Sequence, residues 1–286
     1  MKILTTKTED FSHRKILITG SSGFVGSHLV KKLSKKHSIV QYDLVNNEDV
    51  LDEKLLSKKL KGVDLVIHLA AFISATESWE RPMDYIRNNS LGTLSVVKCS
   101  IEAGVKKLIF FSSAAVKAKP LTPYAVSKIN AESIVNLYKD KLKTIIVRPE
   151  NIYGPGQKEA YGYVIHSFIK AIKGGLLINI YGDGEQTRDF IYVDDVVSSV
   201  EKLMSANLDS GSIVSLGTGK SISVNDLANT VMKVVGKKTS ITHLEAREEP
   251  RSSNADIKSM KENGVNYRDF IDLKSGIRKV LELQYN

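Results

Sequence analysis

Two patterns of hydrophobic positions alternate along the first half of the chain. Short, almost continuously apolar runs, typical of strands buried on both faces, occur at 15–19, 39–43, 64–68, 107–112 and 144–148. Longer segments whose apolar residues recur every three or four positions predict helices at 24–33, 83–103 and 124–138. Strands that alternate with helices pair in parallel, so the chain predicts an α/β fold built on a doubly wound parallel sheet.

The pattern changes after Tyr153. Turn-forming Gly-Pro-Gly and Gly-Asp-Gly clusters stand at 154–156 and 182–184, and an apolar strand and helix return from Phe190, followed by a strand at 212–216. We therefore predict two domains. Residues 1–155 and 190–216 form a dinucleotide-binding domain of the Rossmann type, and residues 156–189 and 217–286 form a smaller C-terminal substrate domain that faces the strand ends.

Composition narrows the class of protein. The chain has 286 residues, 42% of them hydrophobic, which is ordinary for a globular protein and excludes collagen-like or largely disordered chains. The single cysteine, Cys99, excludes an internal disulfide framework and favours a reducing compartment. No apolar run approaches the roughly 18 residues that span a bilayer, and the start of the chain lacks the apolar segment of a signal peptide. We expect a cytoplasmic protein without a membrane partner.

The net charge of +9 raises the question of a nucleic-acid partner. The lysines occur as scattered pairs, such as Lys31-Lys32 and Lys237-Lys238, and no aromatic residues interleave with them as a single-strand binding groove requires. This distribution favours a solvated surface, so no nucleic acid is expected.

A glycine-rich segment, TGSSGFVG at 19–26, joins the first strand to the first helix. Its glycines, Gly20, Gly23 and Gly26, allow a tight turn and let backbone N–H groups approach a pyrophosphate at the positive end of the helix. Asp43 ends the second strand, where a carboxylate can accept hydrogen bonds from an adenosine ribose. The same charge would repel a 2′-phosphate, and Leu44 follows it in place of a basic residue. The predicted cofactor is therefore NAD in preference to NADP.

A second motif, YAVSK at 124–128, opens a helix and carries candidate catalytic residues. Tyr124 and Lys128 are four positions apart and so lie on one helical face. A neighbouring cation favours the phenolate, which predicts a lowered pKa for Tyr124 and a general base for a sugar or alcohol hydroxyl. Ser113 stands at the end of the fourth strand and can hydrogen-bond the same substrate oxygen.

Together these motifs resemble the extended short-chain dehydrogenase/reductase superfamily, in its NAD-dependent epimerase/dehydratase branch. The resemblance covers nearly the whole chain and rests on TGSSGFVG at 19–26, DLVIHLAA at 64–71, NSLGT at 89–93, FSSAAV at 111–116, YAVSK at 124–128, RPENIYGPGQ at 148–157, GDGEQTRDFIYVDD at 182–195 and LGTGKSISV at 216–224.

The resemblance implies an NAD-dependent enzyme with a catalytic centre of Ser113, Tyr124 and Lys128. It also implies a cofactor site, for which the candidate residues are Gly20, Ser22, Gly23, Phe24, Val25, Gly26, Asp43, Leu69, Ala70, Ala71, Asn89, Ser112, Tyr124 and Lys128.

The positions beside Ser113 select among the reactions of the family. Its 4,6-dehydratases place an Asp-Glu pair there, and its UDP-glucuronate decarboxylases usually place a Glu at the second position, whereas this chain has Ala114 and Ala115. The resemblance therefore implies a nucleotide-sugar 4-epimerase similar to the UDP-glucose (UDP-galactose) 4-epimerases, with a UDP-hexose as substrate. The alternatives are a dehydratase or reductase of the same family, and a non-catalytic relative that binds a dinucleotide or RNA.

The same resemblance implies a set of substrate residues. Besides Ser113 and Tyr124, the candidates are Asn151 and Arg188 for the diphosphate, Tyr181 for the base, Glu249 for the ribose, and Arg251 or Arg247 for a further phosphate contact. Arg188 could instead be a surface residue paired with Asp189. Ser253 falls where epimerases of the family place a residue against C2 of the hexose, so a small serine implies that an N-acetyl group is accepted; the alternative is an ordinary loop serine.

Two departures from the family bear on the mouth of the site. Only ten residues separate Ser113 from Tyr124, a shorter loop than usual, and Lys117 stands where the family carries a tyrosine. The family's Arg-x-Gly-Asp corresponds to Ala246-Arg247-Glu248-Glu249, which displaces the phosphate-binding arginine.

Other polar residues have structural interpretations. His68 lies in an apolar strand and Cys99 in an apolar helix, so both are predicted to be core residues, and Asp194-Asp195 is predicted to cap a helix. No metal site is expected.

The helix at 124–138 is apolar around much of its circumference, which predicts a homodimer formed through the helices near 84–103 and 124–140.

Overall fold

The computed structural model describes residues 13–157 and 163–285; residues 1–12, 158–162 and 286 of the predicted domain ranges lie outside the described residues. A six-stranded parallel sheet forms the centre, in the order β2-β1-β3-β4-β5-β9. The strands are β1 (Lys15–Thr19), β2 (Ser38–Tyr42), β3 (Leu65–His68), β4 (Lys107–Phe111), β5 (Lys143–Pro149), β6 (Asn151–Tyr153), β7 (Ile178–Tyr181), β8 (Thr187–Tyr192), β9 (Ser212–Leu216), β10 (Ser221–Ser223) and β11 (Ile241–Leu244).

Helices cover both faces of this sheet, which confirms the predicted α/β doubly wound fold. They are α1 (Phe24–Leu33), α2 (Glu53–Lys59), α3 (Glu77–Glu80), α4 (Pro82–Tyr85), α5 (Gly92–Glu102), α6 (Pro123–Leu137), α7 (Val164–Lys173), α8 (Val193–Ser205), α9 (Val224–Val235), α10 (Ile257–Glu262) and α11 (Leu273–Val280).

The central strands are buried on both faces. One apolar cluster packs β1, β3, β4 and β5 against α1 and α8, and a second packs the opposite face of the sheet against α2, α5 and α6. This two-sided burial explains why the strands read as continuous hydrophobic runs and not as alternating ones.

The predicted helix at 83–103 is helical throughout but not uniform. Between α4 and α5 the chain forms a π-helical segment over Ile86–Leu91. There the Asn89 side chain bonds the backbone of Phe72 and the hydroxyl of Ser127, and the Ser90 hydroxyl donates to the Ser127 carbonyl. Hydrophobic periodicity cannot reveal this change because it does not register bonds to other segments.

The remaining strands form two small sheets, in the orders β10-β8-β6 and β11-β7. An apolar cluster that includes Tyr153, Phe168, Leu227 and Ile277 packs them against α7, α9 and α11. Among the described residues, no helix has both the length and the apolar character to cross a membrane.

A fully buried carboxylate, Asp189 on β8, ties this part of the chain to the central sheet. It accepts hydrogen bonds from the backbone N–H groups of Thr218, Gly219 and Ala255, at 2.8–3.1 Å, and from the Thr218 hydroxyl. The backbone carbonyl of Asp189 accepts a fourth partner, the Asn151 side chain, at 3.0 Å. These bonds compensate the cost of removing the carboxylate from water.

Candidate active site

A cavity of about 780 Å³ opens at the carboxyl ends of the central strands. Its walls follow the strand order: Asp43 comes after β2, Gly20 after β1, Ala70 after β3, Ser113 after β4 and Glu150 after β5. Parallel strands bring all these ends to one edge, although the residues are far apart in sequence.

The glycine loop shapes one end of the cavity through close backbone approach. Gly20 has a φ of +69°, and a Cβ at this position would lie 2.9 Å from the backbone nitrogen of Ala70. A Cβ on Gly26 would collide with the carbonyl oxygen of Gly20. These positions therefore need glycine, and the loop can lie flat beneath a ligand.

The loop also presents a helix N-terminus to the cavity. Helix α1 begins after Gly23 with no side-chain cap, and its first turn contains no acidic residue. Free N–H groups and the positive end of the helix dipole therefore face the cavity, an arrangement that suits a pyrophosphate. This geometry fits a dinucleotide.

Asp43 lies at the same end and is held by the loop. Its carboxylate accepts hydrogen bonds from the backbone N–H groups of Ser22, at 2.8 Å, and Val45, at 3.1 Å. Each carboxylate oxygen keeps a further lone pair that can accept from a ribose hydroxyl.

The residues predicted to contact the cofactor all line the cavity except Asn89. Asn89 is buried, and its amide bonds both the N–H and the carbonyl of Phe72. It thus anchors the segment after β3, which forms part of the wall. Sequence analysis missed several other lining residues, among them Glu48, Asp49, Gln157 and Tyr163.

The three candidate catalytic residues lie on one wall of the cavity. Tyr124 and Lys128 occupy the first two turns of α6, which Pro123 begins and the Thr122 side chain caps. The Ser113 side chain hydrogen-bonds Tyr124 and also accepts from the N–H of Ala115, at 3.1 Å. Ser113 and Tyr124 can therefore contact the same substrate oxygen.

Burial determines the ionisation of this group. It raises the pKa of Tyr124, which the hydrogen bond from Ser113 only partly offsets, so the predicted lowering of this pKa is wrong. The Lys128 ammonium itself donates to the backbone carbonyl of Phe111, at 2.8 Å. Burial lowers the pKa of Lys128 itself to about 7, against an opposing effect of the Glu132 carboxylate.

Glu132 in turn connects α6 to the neighbouring strand. Its carboxylate accepts two hydrogen bonds from the Arg148 guanidinium on β5, the Nε–Oε1 distance being 2.8 Å. Tyr124, Lys128 and Glu132 are spaced four residues apart on one face of the helix. This bidentate pair therefore fixes the helix that carries the candidate base.

Two of the candidate diphosphate residues, Asn151 and Arg188, line the cavity beyond Ser113. Arg188 does not pair with Asp189, the alternative considered from sequence. Its guanidinium donates to the carboxylate of Glu249, which also accepts from the Gln186 side chain at 3.0 Å. Glu249 lies outside the cavity wall.

Tyr181 and Arg251 are also not brought to the cavity. The Arg251 guanidinium makes two hydrogen bonds to the Asp183 carboxylate, at 2.8 and 2.9 Å, on the exposed surface. The Arg247 guanidinium stacks on the Tyr181 ring, 3.3 Å from its centroid. Both arginines considered for the phosphate are thus engaged outside the described cavity wall.

Ser253 lines the cavity, and its hydroxyl donates a hydrogen bond to the carboxylate of Glu150. Sequence analysis overlooked Glu150, although it directly follows β5 at the edge where ligand-binding groups of such sheets collect. Lys117 lies in the wall of the same cavity.

The structural interpretations of His68 and Cys99 agree with the geometry. His68 is buried, bonds the hydroxyls of Thr19 and Thr93, and has its pKa lowered to about 3 by burial. Cys99 is buried as well. No group of His, Cys, Asp or Glu in the described ranges could hold a metal ion.

The aspartate pair at 194–195 lies in the first turn of α8 and not at its N-cap, which is Tyr192. Asp194 pairs with His28, at 3.6 Å, and Asp195 accepts from the N–H of Ile271. The predicted capping role is therefore wrong, although two acids in the first turn still complement the helix dipole.

Comparison with curated proteins finds relatives along nearly the whole chain. A Methanocaldococcus jannaschii protein provisionally named as a UDP-glucose 4-epimerase is 32% identical, over 95% of this chain and 98% of its own. A UDP-N-acetyl-α-D-glucosaminuronate decarboxylase of Bacillus cytotoxicus is 30% identical, over 81% of this chain and 83% of its own.

Solved structures agree with this result. The UDP-N-acetylglucosamine 4-epimerase of Methanobrevibacter ruminantium, in complex with UDP-N-acetylmuramic acid, has a TM-score of 0.86 and 28% identity, covering 95% of this chain and 98% of its own. MoeE5, in complex with UDP-glucose and NAD, has a TM-score of 0.85 and 30% identity, covering 94% of this chain and 98% of its own.

The family model for the NAD dependent epimerase/dehydratase family matches residues 16–217. That range contains the glycine loop, Asp43 and the helix of Tyr124 and Lys128, all of which the fold brings to one cavity. Because the match includes the features that give this cavity its shape and chemistry, the chain belongs to the NAD dependent epimerase/dehydratase family and its cofactor is NAD.

Proposed function

We propose that the protein is a nucleotide-sugar 4-epimerase that acts on UDP-hexoses. The observation that carries this proposal is the wall formed by Ser113, Tyr124 and Lys128, next to which Ala114 and Ala115 also line the cavity. Alanine side chains can neither donate nor accept a proton, so these positions supply no acid or base for eliminating water or for assisting decarboxylation. The wall has the groups for oxidising and re-reducing one alcohol carbon.

In the reaction, Tyr124 removes the proton of the sugar C4 hydroxyl while Ser113 holds the same oxygen by a hydrogen bond. NAD, which the glycine loop and Asp43 would hold, would supply the acceptor for the C4 hydride and the source of its return. The resulting 4-keto sugar presents its other face before it is reduced, and Tyr124 gives the proton back to the C4 oxygen. Proton and hydride are both restored, so no external reductant is consumed.

Lys128 contributes the positive charge of the site. A pKa of about 7 means that this buried ammonium exchanges its proton near neutral pH. A phenolate on Tyr124 favours the protonated form of Lys128, and the bond to the Phe111 carbonyl orients the ammonium. The lysine thus stabilises the phenolate that Tyr124 must be before it can take the proton of the C4 hydroxyl.

The other end of the substrate is assigned to Arg188 and Asn151. Both line the cavity beyond the catalytic wall, and a planar guanidinium suits bidentate contact with a diphosphate. Ser253, in the same part of the wall, leaves room for an N-acetyl group, which supports UDP-GlcNAc and UDP-GalNAc as further substrates. Because the proposed substrate and NAD are cytoplasmic metabolites, we also place the protein in the cytoplasm.

The structure also supports a homodimer through the helical regions near 84–103 and 124–140. Apolar side chains are exposed there, among them Met83, Leu91, Val126 and Leu137. An exposed apolar helix face gains stability when a second copy covers it.

Light scattering at micromolar concentration should give twice the mass of the chain, and a monomer would contradict the proposed homodimer.

The reaction can be tested with Tyr124→Phe, which keeps the ring and removes only the hydroxyl. We expect the wild type to interconvert UDP-glucose and UDP-galactose without added reductant, and the variant to lose about 100-fold or more in kcat, the usual contribution of a general base. Tyr138→Phe, at the other end of the same helix, is the matched control. Failure of the NAD-bound wild type to convert UDP-hexoses or their N-acetyl forms would contradict the proposal, and a steady absorbance change at 340 nm would indicate net oxidation or reduction.

The ionisation of Lys128 predicts a pH-dependent stability difference between wild type and Lys128→Met. Because burial lowers the pKa from 10.5 to about 7, the unfolded chain binds more protons here than the folded chain between these pH values. Wild-type stability must therefore rise relative to the variant as the pH increases through this window, and the advantage of the variant is largest at pH 7 and below.

Urea unfolding of both proteins between pH 6 and pH 9 measures this difference. Lys31→Met, which removes an exposed lysine, serves as the control. A free-energy difference between wild type and Lys128→Met that does not change with pH would show that Lys128 is not a buried, titrating group.

Ser253→Tyr tests the acceptance of an N-acetyl group. A tyrosine fills the space beside the sugar, so kcat/KM for UDP-GlcNAc should fall about 10-fold or more relative to that for UDP-glucose. Ser253→Ala removes the same hydroxyl but leaves the space, and it should not separate the two substrates. Equal losses on both substrates in Ser253→Tyr would show that this residue does not face C2.

A further inference from the structure

Glu150 is an acidic residue in the cavity wall that the proposed reaction does not use. It follows β5, whereas Ser113 follows β4 and Asp43 follows β2, at the far edge of the sheet. Along the edge of the sheet, Glu150 therefore lies beyond Ser113, on the side opposite to the dinucleotide. This is where a sugar attached at the catalytic wall must extend.

The surrounding chain holds the Glu150 side chain in a defined position. The backbone N–H of Glu150 donates to the Leu216 carbonyl at 2.9 Å, and the carboxylate accepts from the Ser253 hydroxyl. A Cβ on Gly217 would lie 2.9 Å from Cγ of Glu150, so the space that this side chain occupies depends on a neighbouring glycine. The carboxylate keeps further lone pairs that can accept hydrogen bonds from a ligand in the cavity.

The charges around Glu150 leave this part of the cavity acidic. Burial raises the pKa of Glu150, the Asp189 carboxylate acts in the same direction, and Lys117 and Arg188 oppose them. Arg188, however, pairs with Glu249 and is assigned above to the diphosphate, and Lys117 is exposed, where water screens its charge. The half-buried Glu150 carboxylate is therefore the charge that a sugar in this part of the cavity meets.

Taking the proposed function as its basis, we propose that Glu150 determines which sugars are accepted: its carboxylate binds the hydroxyl groups of a neutral hexose and excludes hexuronates. A hydroxyl donates to a carboxylate, whereas a hexuronate would bring a second anion next to the Glu150 carboxylate in a partly desolvated cavity. The distinction separates substrate classes within the family, because a relative described above is named as a decarboxylase of a nucleotide-linked uronate.

The test measures binding by calorimetry on the NAD-loaded protein, with UDP-glucose, UDP-glucuronic acid and UDP as ligands. We expect the wild type to bind UDP-glucose at least about 10-fold more tightly than UDP-glucuronic acid, a difference of about 1.4 kcal/mol. Glu150→Gln keeps the shape and an acceptor oxygen but removes the charge. It should reduce this ratio about 10-fold, while the affinity for UDP, which has no sugar, stays within about twofold.

Two further variants separate charge from folding. Glu150→Asp keeps the charge and should keep discrimination against UDP-glucuronic acid, whereas Glu262→Gln removes an exposed charge elsewhere and should leave the ratio unchanged. The inference is overturned if the wild type binds both sugars equally, or if Glu150→Gln changes the affinities for UDP and both sugars by the same factor.

The outcomes also distinguish this inference from the proposed function. Discrimination that depends on Glu150, in a protein that does not interconvert UDP-glucose and UDP-galactose, would refute the epimerase proposal and leave the specificity role intact. Interconversion with an unchanged ratio in Glu150→Gln would refute only the specificity role. If neither UDP-sugar binds, both proposals fail.

Discussion

The part of the cavity wall beyond Ser113 depends on the hydrogen bonds that one fully buried carboxylate, that of Asp189, accepts. Its donors come from the turn after β9, at Thr218 and Gly219, and from Ala255, two residues beyond Ser253. Segments separated by tens of residues are thereby held against β8, whose neighbour is β6. Burying this anion without these donors would be strongly unfavourable. The carboxylate is therefore stable only when the donor segments are in place, and the carboxylate in turn holds those segments against β8.

A second constraint acts on the catalytic side. Burial makes it harder for both Tyr124 and Lys128 to carry charge, which raises the pKa of one and lowers the pKa of the other. The Glu132–Arg148 pair beneath them supplies the rigidity that this arrangement needs.

The cavity therefore combines two electrostatic environments on one sheet edge. Around the glycine loop, uncapped N–H groups of α1 favour an anion. Beyond Ser113, the carboxylate of Glu150 favours donors such as hydroxyl groups. A diphosphate-linked neutral sugar next to a dinucleotide is compatible with this order, since each chemical group meets complementary charge.

The sequence by itself determined the features that depend on residues close together in the chain, namely the strands, the helices and the turns. Buried parallel strands are apolar throughout and helices are periodic, so β1, α1 and β9 have the predicted bounds, and β2, β3, β4, β5 and α6 differ by one residue at one or both ends. Helix α2 was not predicted, and the predicted helix at 83–103 is divided by the π-helical segment. The glycine loop and the Tyr124–Lys128 spacing are equally local, because turn geometry and helix periodicity act over a few residues.

Only the tertiary structure decided which charged groups meet. Arg188 pairs with Glu249, 61 residues away, and Arg251 with Asp183, 68 residues away, and neither partner follows from a motif. The raised pKa of Tyr124 has the same origin, since it depends on burial by segments that are distant in sequence. Electrostatic interactions and desolvation act through space, so their outcome is decided only when distant segments pack together.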